Sequence, residues 1–430
     1  MSTQEHEHGA RKNRGAWRRW RFAFALNVAV IPWVTTITPH SAGSALLVLR
    51  HDSPTHAGTY AGGATSVTTT SHPSTSTTLE TTITAGHAST TLAHVLSSSP
   101  THRVAVGITR CTFVDPTRPV YDYSRQPAVI RSTHRTLLTE IRYPISAVSG
   151  SPTETTGATP LARRGGYPVI VFAHGYDVSP DTYAALLDDW ARAGFVVVAP
   201  FFPDEKHSAV TAQGGADTEG DLANEPGDVA FVTRQVLKDS TQVDPSCALI
   251  HGLADPAHIA LAGQSDGANT VATLAYNRGL DPQGVPFARL DQGLDIQAIV
   301  ILSGQEAPHQ AYAAAADAPP LLMVQSLNDQ CNSIRSAVTL YQDVHQSDKW
   351  FLELQTAHHL PPYDGIDKPA FRIVVATTVH FLVTSLGIAR LSTGLVAFAN
   401  QNPAIALMFQ NQQGPPLTNV PPFTGLCGLN

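Results

Sequence analysis

The sequence predicts an α/β fold, a mostly parallel central sheet covered by helices on both faces. Three observations predict it. From Tyr167 onward, short apolar runs alternate with stretches whose apolar residues recur at helical spacing. One strand–helix junction carries Gly263-Gln264-Ser265-Asp266-Gly267, a G-x-S-x-G pattern that marks a nucleophile elbow when strand and helix flank it. Further along, Asp329 and His359 each fall just past an apolar run, so serine, acid and histidine come in that order.

The elements follow in order. Residues 103–109 read as an opening strand, and 137–144 alternate as part of an early hairpin. Residues 146–164 are polar and read as a loop. Tyr167–Ala173 is apolar throughout, a buried strand running into His174-Gly175-Tyr176. Ser179 then suits an N-cap with Pro180 at the first helical position. Tyr183, Leu186, Leu187 and Trp190 give that helix its apolar face, and Gly194 ends it. Phe195–Pro200 is the next strand, 203–220 a long polar loop, and Asp228–Leu237 a helix. After the elbow come strands at 298–303, 320–326 and 350–354 and helices at 334–344 and 368–386. A tail rich in Asn, Gln and Pro begins at Ser392.

Serine is a poor nucleophile until a histidine removes its proton, and the histidine needs an acid to fix its tautomer. Ser265, His359 and Asp329 are the candidates for these roles, all at the carboxyl edge of the sheet, where ligands bind in open α/β sheets. Asp317 precedes its strand and Asp343 lies in a helix, so both compete less well. His358 rivals His359 as its neighbour, whereas His174, His345 and His380 are less well placed. Acyl transfer also needs donors for a developing oxyanion, and the backbone amides of Asp266 and Tyr176 are the candidates. Asp266 also brings a carboxylate beside the forming oxyanion, which works against catalysis unless it turns away.

The chain has 430 residues, of which 43% are hydrophobic, enough for a sizeable core. Residues 1–22 hold six basic groups against two acidic ones, a net of +4; with −7 overall, the remainder carries −11. An acidic body argues against nucleic acid as a partner. Basic residues, the apolar stretch 22–31 and the small residues 41–45 stand in the order of a secretory signal, with an uncleaved anchor as the second choice. Residues 1–45 are therefore a signal-like or anchor segment. Residues 46–100, dominated by Thr, Ser, Ala, Gly and His, are a linker with too few large apolar side chains to offset the cost of ordering. The catalytic domain is expected over 101–390, with an extension over 391–430. Four cysteines allow three disulfide pairings, and without C-x-x-C spacing a zinc site is not expected.

The segments PVIVFAHGYDVSPDTYAALLDDWARAGFVVVAP, GQSDGA, SLNDQ and KWFLELQTAHHLPP together resemble the α/β-hydrolase superfamily. More narrowly, they resemble its dienelactone hydrolase-like, platelet-activating-factor acetylhydrolase-like and polyester hydrolase (cutinase-type) branch. The resemblance covers most of residues 104–386. It implies the α/β-hydrolase fold, selects His359 over His358, and matches Gly175-Tyr176 to the oxyanion loop. The chain departs from the pattern at Gln264, where His or Trp is common, and at Asp266, where an apolar residue is common. Beside the resemblance, Cys331 with Cys427 is one candidate bridge and Cys111 with Cys247 its complement.

The expectation is an exported or cell-envelope serine hydrolase acting on small or polymeric carboxylic esters, with no metal or organic cofactor. A membrane would be met only through an uncleaved anchor. The alternatives are an amidase or peptidase with the same triad, and a catalytically weak binding protein on the same scaffold.

Overall fold

Among the described residues, ten strands make one sheet and two more make a separate hairpin. The protein is represented by a computed structural model describing residues 104–147, 154–214, 219–305, 312, 318–346, 348–391 and 393–427. The signal-like segment, the Thr/Ser-rich linker and Asp317 lie outside the described residues.

In chain order the strands are β1 (Val104–Asp115), β2 (Val120–Asp122), β3 (Val129–Ser132), β4 (Arg135–Ser146), β5 (Glu154–Thr156), β6 (Tyr167–Ala173), β7 (Val196–Pro200) and β8 (Ala254–Gln264). The remaining four are β9 (Ile296–Leu302), β10 (Leu321–Ser326), β11 (Lys349–Leu354) and β12 (Ala406–Phe409). The helices are α1 (Ala184–Arg192), α2 (His207–Ala212), α3 (Glu225–Thr241), α4 (Asp266–Tyr276), α5 (Phe287–Leu290), α6 (Ile334–Asp343), α7 (Pro361–Asp364), α8 (Lys368–Ser385) and α9 (Leu395–Ala399). The sheet order is β12-β11-β10-β9-β8-β6-β7-β4-β1-β5. Strands β7, β6, β8, β9, β10 and β11 are mutually parallel, and β4 and β12 run antiparallel to their neighbours. With the elbow between β8 and α4, this is the α/β-hydrolase fold.

Side chains of the parallel strands alternate between two cores. Val169, Val171 and Ala173 of β6 face one side, with Val229 of α3, Val271 of α4 and Val338 of α6. Ile170 and Phe172 face the other, with Leu186 and Trp190 of α1 and Val374 and Leu382 of α8. A strand buried on both faces reads as a continuous apolar run because each successive residue enters a different core. The helix face expected over Tyr183–Trp190 is fully buried. Its first turn, Pro180–Tyr183, is 3-10, with Ser179 as N-cap.

The outer parts depart from the sequence expectations. β1 continues to Asp115 and pairs with β4 over its whole length, with the hairpin β2–β3 inserted between them. β5 lies in the expected loop, α2 lies in the long polar loop, and the tail supplies the edge strand β12. The strands β5 and β12 are short, and pairing with a neighbour rather than their own pattern makes them regular. Both candidate disulfides are present: Cys111–Cys247 ties β1 to the turn before β8, and Cys331–Cys427 ties the tail to the loop after β10.

Candidate active site

The parallel strands end on one edge, and the residues just beyond those ends make the site. Ser265 comes after β8, Asp329 after β10, His359 after β11 and Tyr176 after β6. Ser265 has φ 56° and ψ −118°, a left-handed conformation forced on a non-glycine residue by the turn from strand to helix. Gly263 and Gly267 permit that turn. A Cβ on Gly263 would collide with the Gly267 carbonyl, and one on Gly267 would collide with Ala173 of β6.

The three expected side chains meet. The Ser265 hydroxyl is 3.0 Å from His359 Nε2, and His359 Nδ1 is 2.8 Å from Asp329 Oδ2. Asp329 is held on all sides. Its Oδ1 accepts from the amides of Cys331 and Asn332, both at 2.9 Å, and its Oδ2 also accepts from Gln325 Nε2 at 2.9 Å. With the carboxylate saturated by donors, Nδ1–H is the consistent tautomer of His359, which leaves Nε2 as the acceptor facing the serine. His358 is exposed and turned away, as successive residues past a strand end are expected to be. His345 is exposed, and His380 is buried in α8 against Phe398.

Oxygen and nitrogen ligand atoms of Asp329 and His359 lie within 4.8 Å of the Cys331 sulfur. That sulfur is committed to the bridge with Cys427.

The turn after β6 abuts the elbow: a Cβ on Gly175 would lie 3.0 Å from Ser265 Cβ. Tyr176 and Asp266 are both half-buried there. Asp266 opens α4, so its amide is among the helix N-terminal donors that have no intrahelical partner, and its carboxylate sits where the helix dipole favours negative charge. His174 braces the turn. Its Nε2 accepts from the Phe202 amide at 3.1 Å, so Nδ1 carries the proton given to the Gly175 carbonyl at 2.8 Å. Burial lowers its pKa to about 4, which keeps the ring neutral in that role.

Several groups around the site were not singled out from the sequence. Tyr183, expected only to pack, donates from its hydroxyl to Gln264 Oε1 at 2.6 Å. Gln264, noted as a departure, reaches His359. Glu205 and Glu225 are buried in the wall beside the elbow. Glu225 accepts from Thr270 of α4 at 2.5 Å, whereas neither oxygen of Glu205 has a hydrogen-bond partner among the described residues. Burial raises both carboxyl pKa values well above the usual range, reinforced by the other acids nearby. A charged side chain in a polar loop carries no sign of burial in its own sequence; the departure at Gln264 was the one local signal.

Glu205 gives a pH-dependent prediction. A carboxyl whose folded pKa lies above its unfolded one contributes most at low pH and loses that contribution as pH rises through the interval between them. Glu205→Gln is therefore expected to melt a few degrees above wild type at pH 8, with the gap closing towards pH 4. Differential scanning calorimetry at both pH values checks this; equal melting temperatures at pH 8 would refute it.

Residues 132–290 match the Chlorophyllase family. The chain is 25% identical over 167 residues to the chloroplastic chlorophyllase-1 of Citrus unshiu, covering 36% of this chain and 50% of that protein. Chlorophyllase-1 of Citrus sinensis matches to the same extent. The chain thus spans about half the length of the curated relatives it matches. A solved ferulic acid esterase from Streptomyces cinnamoneus is similar in structure, with a TM-score of 0.49 and 15% identity over 69% of this chain and 94% of that one. The matched family segment includes the turn after β6 and the elbow but ends before Asp329 and His359.

Proposed function

We propose that this chain, an α/β hydrolase by its sheet and its elbow, cleaves carboxylic esters through an acyl-enzyme on Ser265. The observation that carries the reading is the unbroken run from Ser265 Oγ through the His359 imidazole to Asp329, at 3.0 and 2.8 Å. In this mechanism Ser265 Oγ attacks the ester carbonyl while His359 Nε2 takes its proton. The carbonyl oxygen becomes an oxyanion, held by the amides of Tyr176 and Asp266. Collapse expels the alcohol, which receives the proton from His359. Water, deprotonated by the same nitrogen, then frees the acid and restores Ser265. Asp329 keeps the imidazole oriented and stabilises its protonated form. The chlorophyllase relatives support an ester as the substrate class.

Incubation with a fluorophosphonate followed by peptide mass mapping tests the nucleophile, and the expected outcome is a single adduct on Ser265. Parallel turnover of p-nitrophenyl acetate, butyrate and octanoate against an acyl p-nitroanilide tests the bond, with esters expected to be favoured. An adduct without ester turnover would favour the amide reading, and neither adduct nor turnover would favour a binding protein on this scaffold.

Export is part of the proposal. The two disulfides are consistent with an oxidising compartment. Among the described residues no helix is long and apolar enough to cross a membrane. Finding the protein in the culture medium with its N-terminus removed would support the cleaved signal; recovery with membranes would favour the anchor.

A further inference from the structure

One buried side chain joins the two halves of the site, and the mechanism above does not use it. Gln264 is 1% exposed, and it precedes the nucleophile at the end of β8. The Gly175 amide donates to the Tyr183 hydroxyl at 3.3 Å, and that hydroxyl donates to Gln264 Oε1 at 2.6 Å. Because the Tyr183 oxygen accepts from Gly175, its own proton goes to Gln264, which fixes the amide with Oε1 towards Tyr183 and Nε2 towards His359. Gln264 Nε2 then stands 3.2 Å from His359 Nε2 and 3.3 Å from the His359 carbonyl oxygen. A flipped amide would leave the Tyr183 hydroxyl proton without an acceptor in a fully buried position.

The His359 nitrogen thus faces two donors, the Ser265 hydroxyl at 3.0 Å and the Gln264 amide at 3.2 Å. A donor on that lone pair favours the unprotonated ring. Once the ring takes the Ser265 proton, Nε2 becomes a donor itself, and the amide has the His359 carbonyl within reach as its alternative acceptor. We propose that Gln264 is a positioning residue that holds His359 as the free base in the resting site and, through Tyr183, ties its placement to the turn that carries the Tyr176 amide. This rests on the hydrolase reading for its catalytic meaning, although the state of the ring can be measured without turnover.

Among the described residues, few titratable groups stand around the ring. Asp329 holds Nδ1, Tyr183 stands behind Gln264, and Tyr363 bonds Ser303, whose hydroxyl also reaches the His359 carbonyl. Burial keeps both phenols protonated, well above their usual range, and the charges of Asp266 and Asp364 reinforce this at Tyr183. The Cys331 sulfur, also near the ring, does not titrate within its disulfide.

Two variants of similar size separate this role from packing. Gln264→Met fills the space without a donor, and Gln264→Glu keeps the acceptor for Tyr183 while turning a second carboxylate oxygen to His359. Gln264→Met is expected to lower kcat about tenfold with little change in KM. Gln264→Glu is expected to lower kcat at pH 7 a hundredfold or more, with activity returning at higher pH, because a carboxylate there holds the ring protonated. Nitrogen-15 NMR titration of the His359 ring reads the same effect directly, with the midpoint expected above wild type in Gln264→Met, which removes the donor, and more than one pH unit above it in Gln264→Glu, which adds a charge as well. The two variants melting within a few degrees of wild type would confirm that folding is intact. Superimposable ring titrations in wild type and Gln264→Met overturn the proposal. An inert wild type with a displaced Gln264→Met titration sinks the esterase reading and leaves the positioning role supported.

Discussion

Ser265→Ala is expected to lower kcat on short p-nitrophenyl esters by about 10⁴-fold or more, with the melting temperature essentially unchanged. Ser265 is half-buried at the elbow and lies outside either core, so deleting its oxygen removes the proposed attacking atom and little packing. His359→Ala should fall to a similar floor, and the double variant should be no worse than either single one. Serine and histidine act as one unit, so their losses do not add. Initial rates under saturating ester, with calorimetry on the same preparations, give the answer. Ser265→Ala retaining more than about one-tenth of wild-type turnover would place the reaction elsewhere.

Arg135→Met is expected to be the most destabilising single change, costing about 3–5 kcal/mol. The guanidinium is fully buried at the start of β4 and is forked between two carboxylates. It donates to Asp221 at 2.6 and 3.0 Å, to Asp228 at 2.7 and 2.8 Å, and to the Pro119 carbonyl at 3.1 Å. Arg118 adds a second cation, ion-paired with Asp228 at 2.6 Å and with Asp115 at 2.7 Å. Methionine would leave Asp221 facing no cation in this group and Asp228 with one, in a region where burial already raises the Asp221 pKa. A drop on the order of 10 °C in melting temperature is expected for a domain of this size. Arg135→Lys keeps the charge and loses the fork, so it should fall between the two. A melting temperature of Arg135→Met within 2 °C of wild type would show that water or rearrangement compensates the acids. The cluster ties β4 to the start of α3, the helix whose Glu225 bonds α4 beside Ser265. Activity should therefore decline before unfolding is complete.

Much of the candidate site at the sheet edge could be read from the chain because its signals are local. A continuous apolar run such as Tyr167–Ala173 is diagnostic wherever it occurs, and the elbow needs its glycines within two residues of the serine. Ser265, Asp329 and His359 are each identifiable from position relative to a strand end. The choice between His358 and His359 is of another kind. It comes from resemblance, and the exposure of His358 against the burial of His359 shows the geometry behind it. The hairpin β2–β3, helix α2 and strand β12 were not legible, since residues 406–409 read as part of a polar tail until β11 is placed alongside them.

Local stretches of the chain already carry the alternation of strands and helices, the elbow and the order of the three side chains. Each arises from periodicity or turn chemistry over a few residues, which acts before any distant contact forms. The tertiary structure alone decided which polar groups would be buried together. Arg135 with Asp221 and Asp228, and Gln264 between Tyr183 and His359, bring together residues from separate stretches of the chain, while Glu205 is covered without gaining a hydrogen-bond partner among the described residues. Burial and pairing of a charge depend on what packs over it, and that is a property of the assembled sheet and helices rather than of any local stretch.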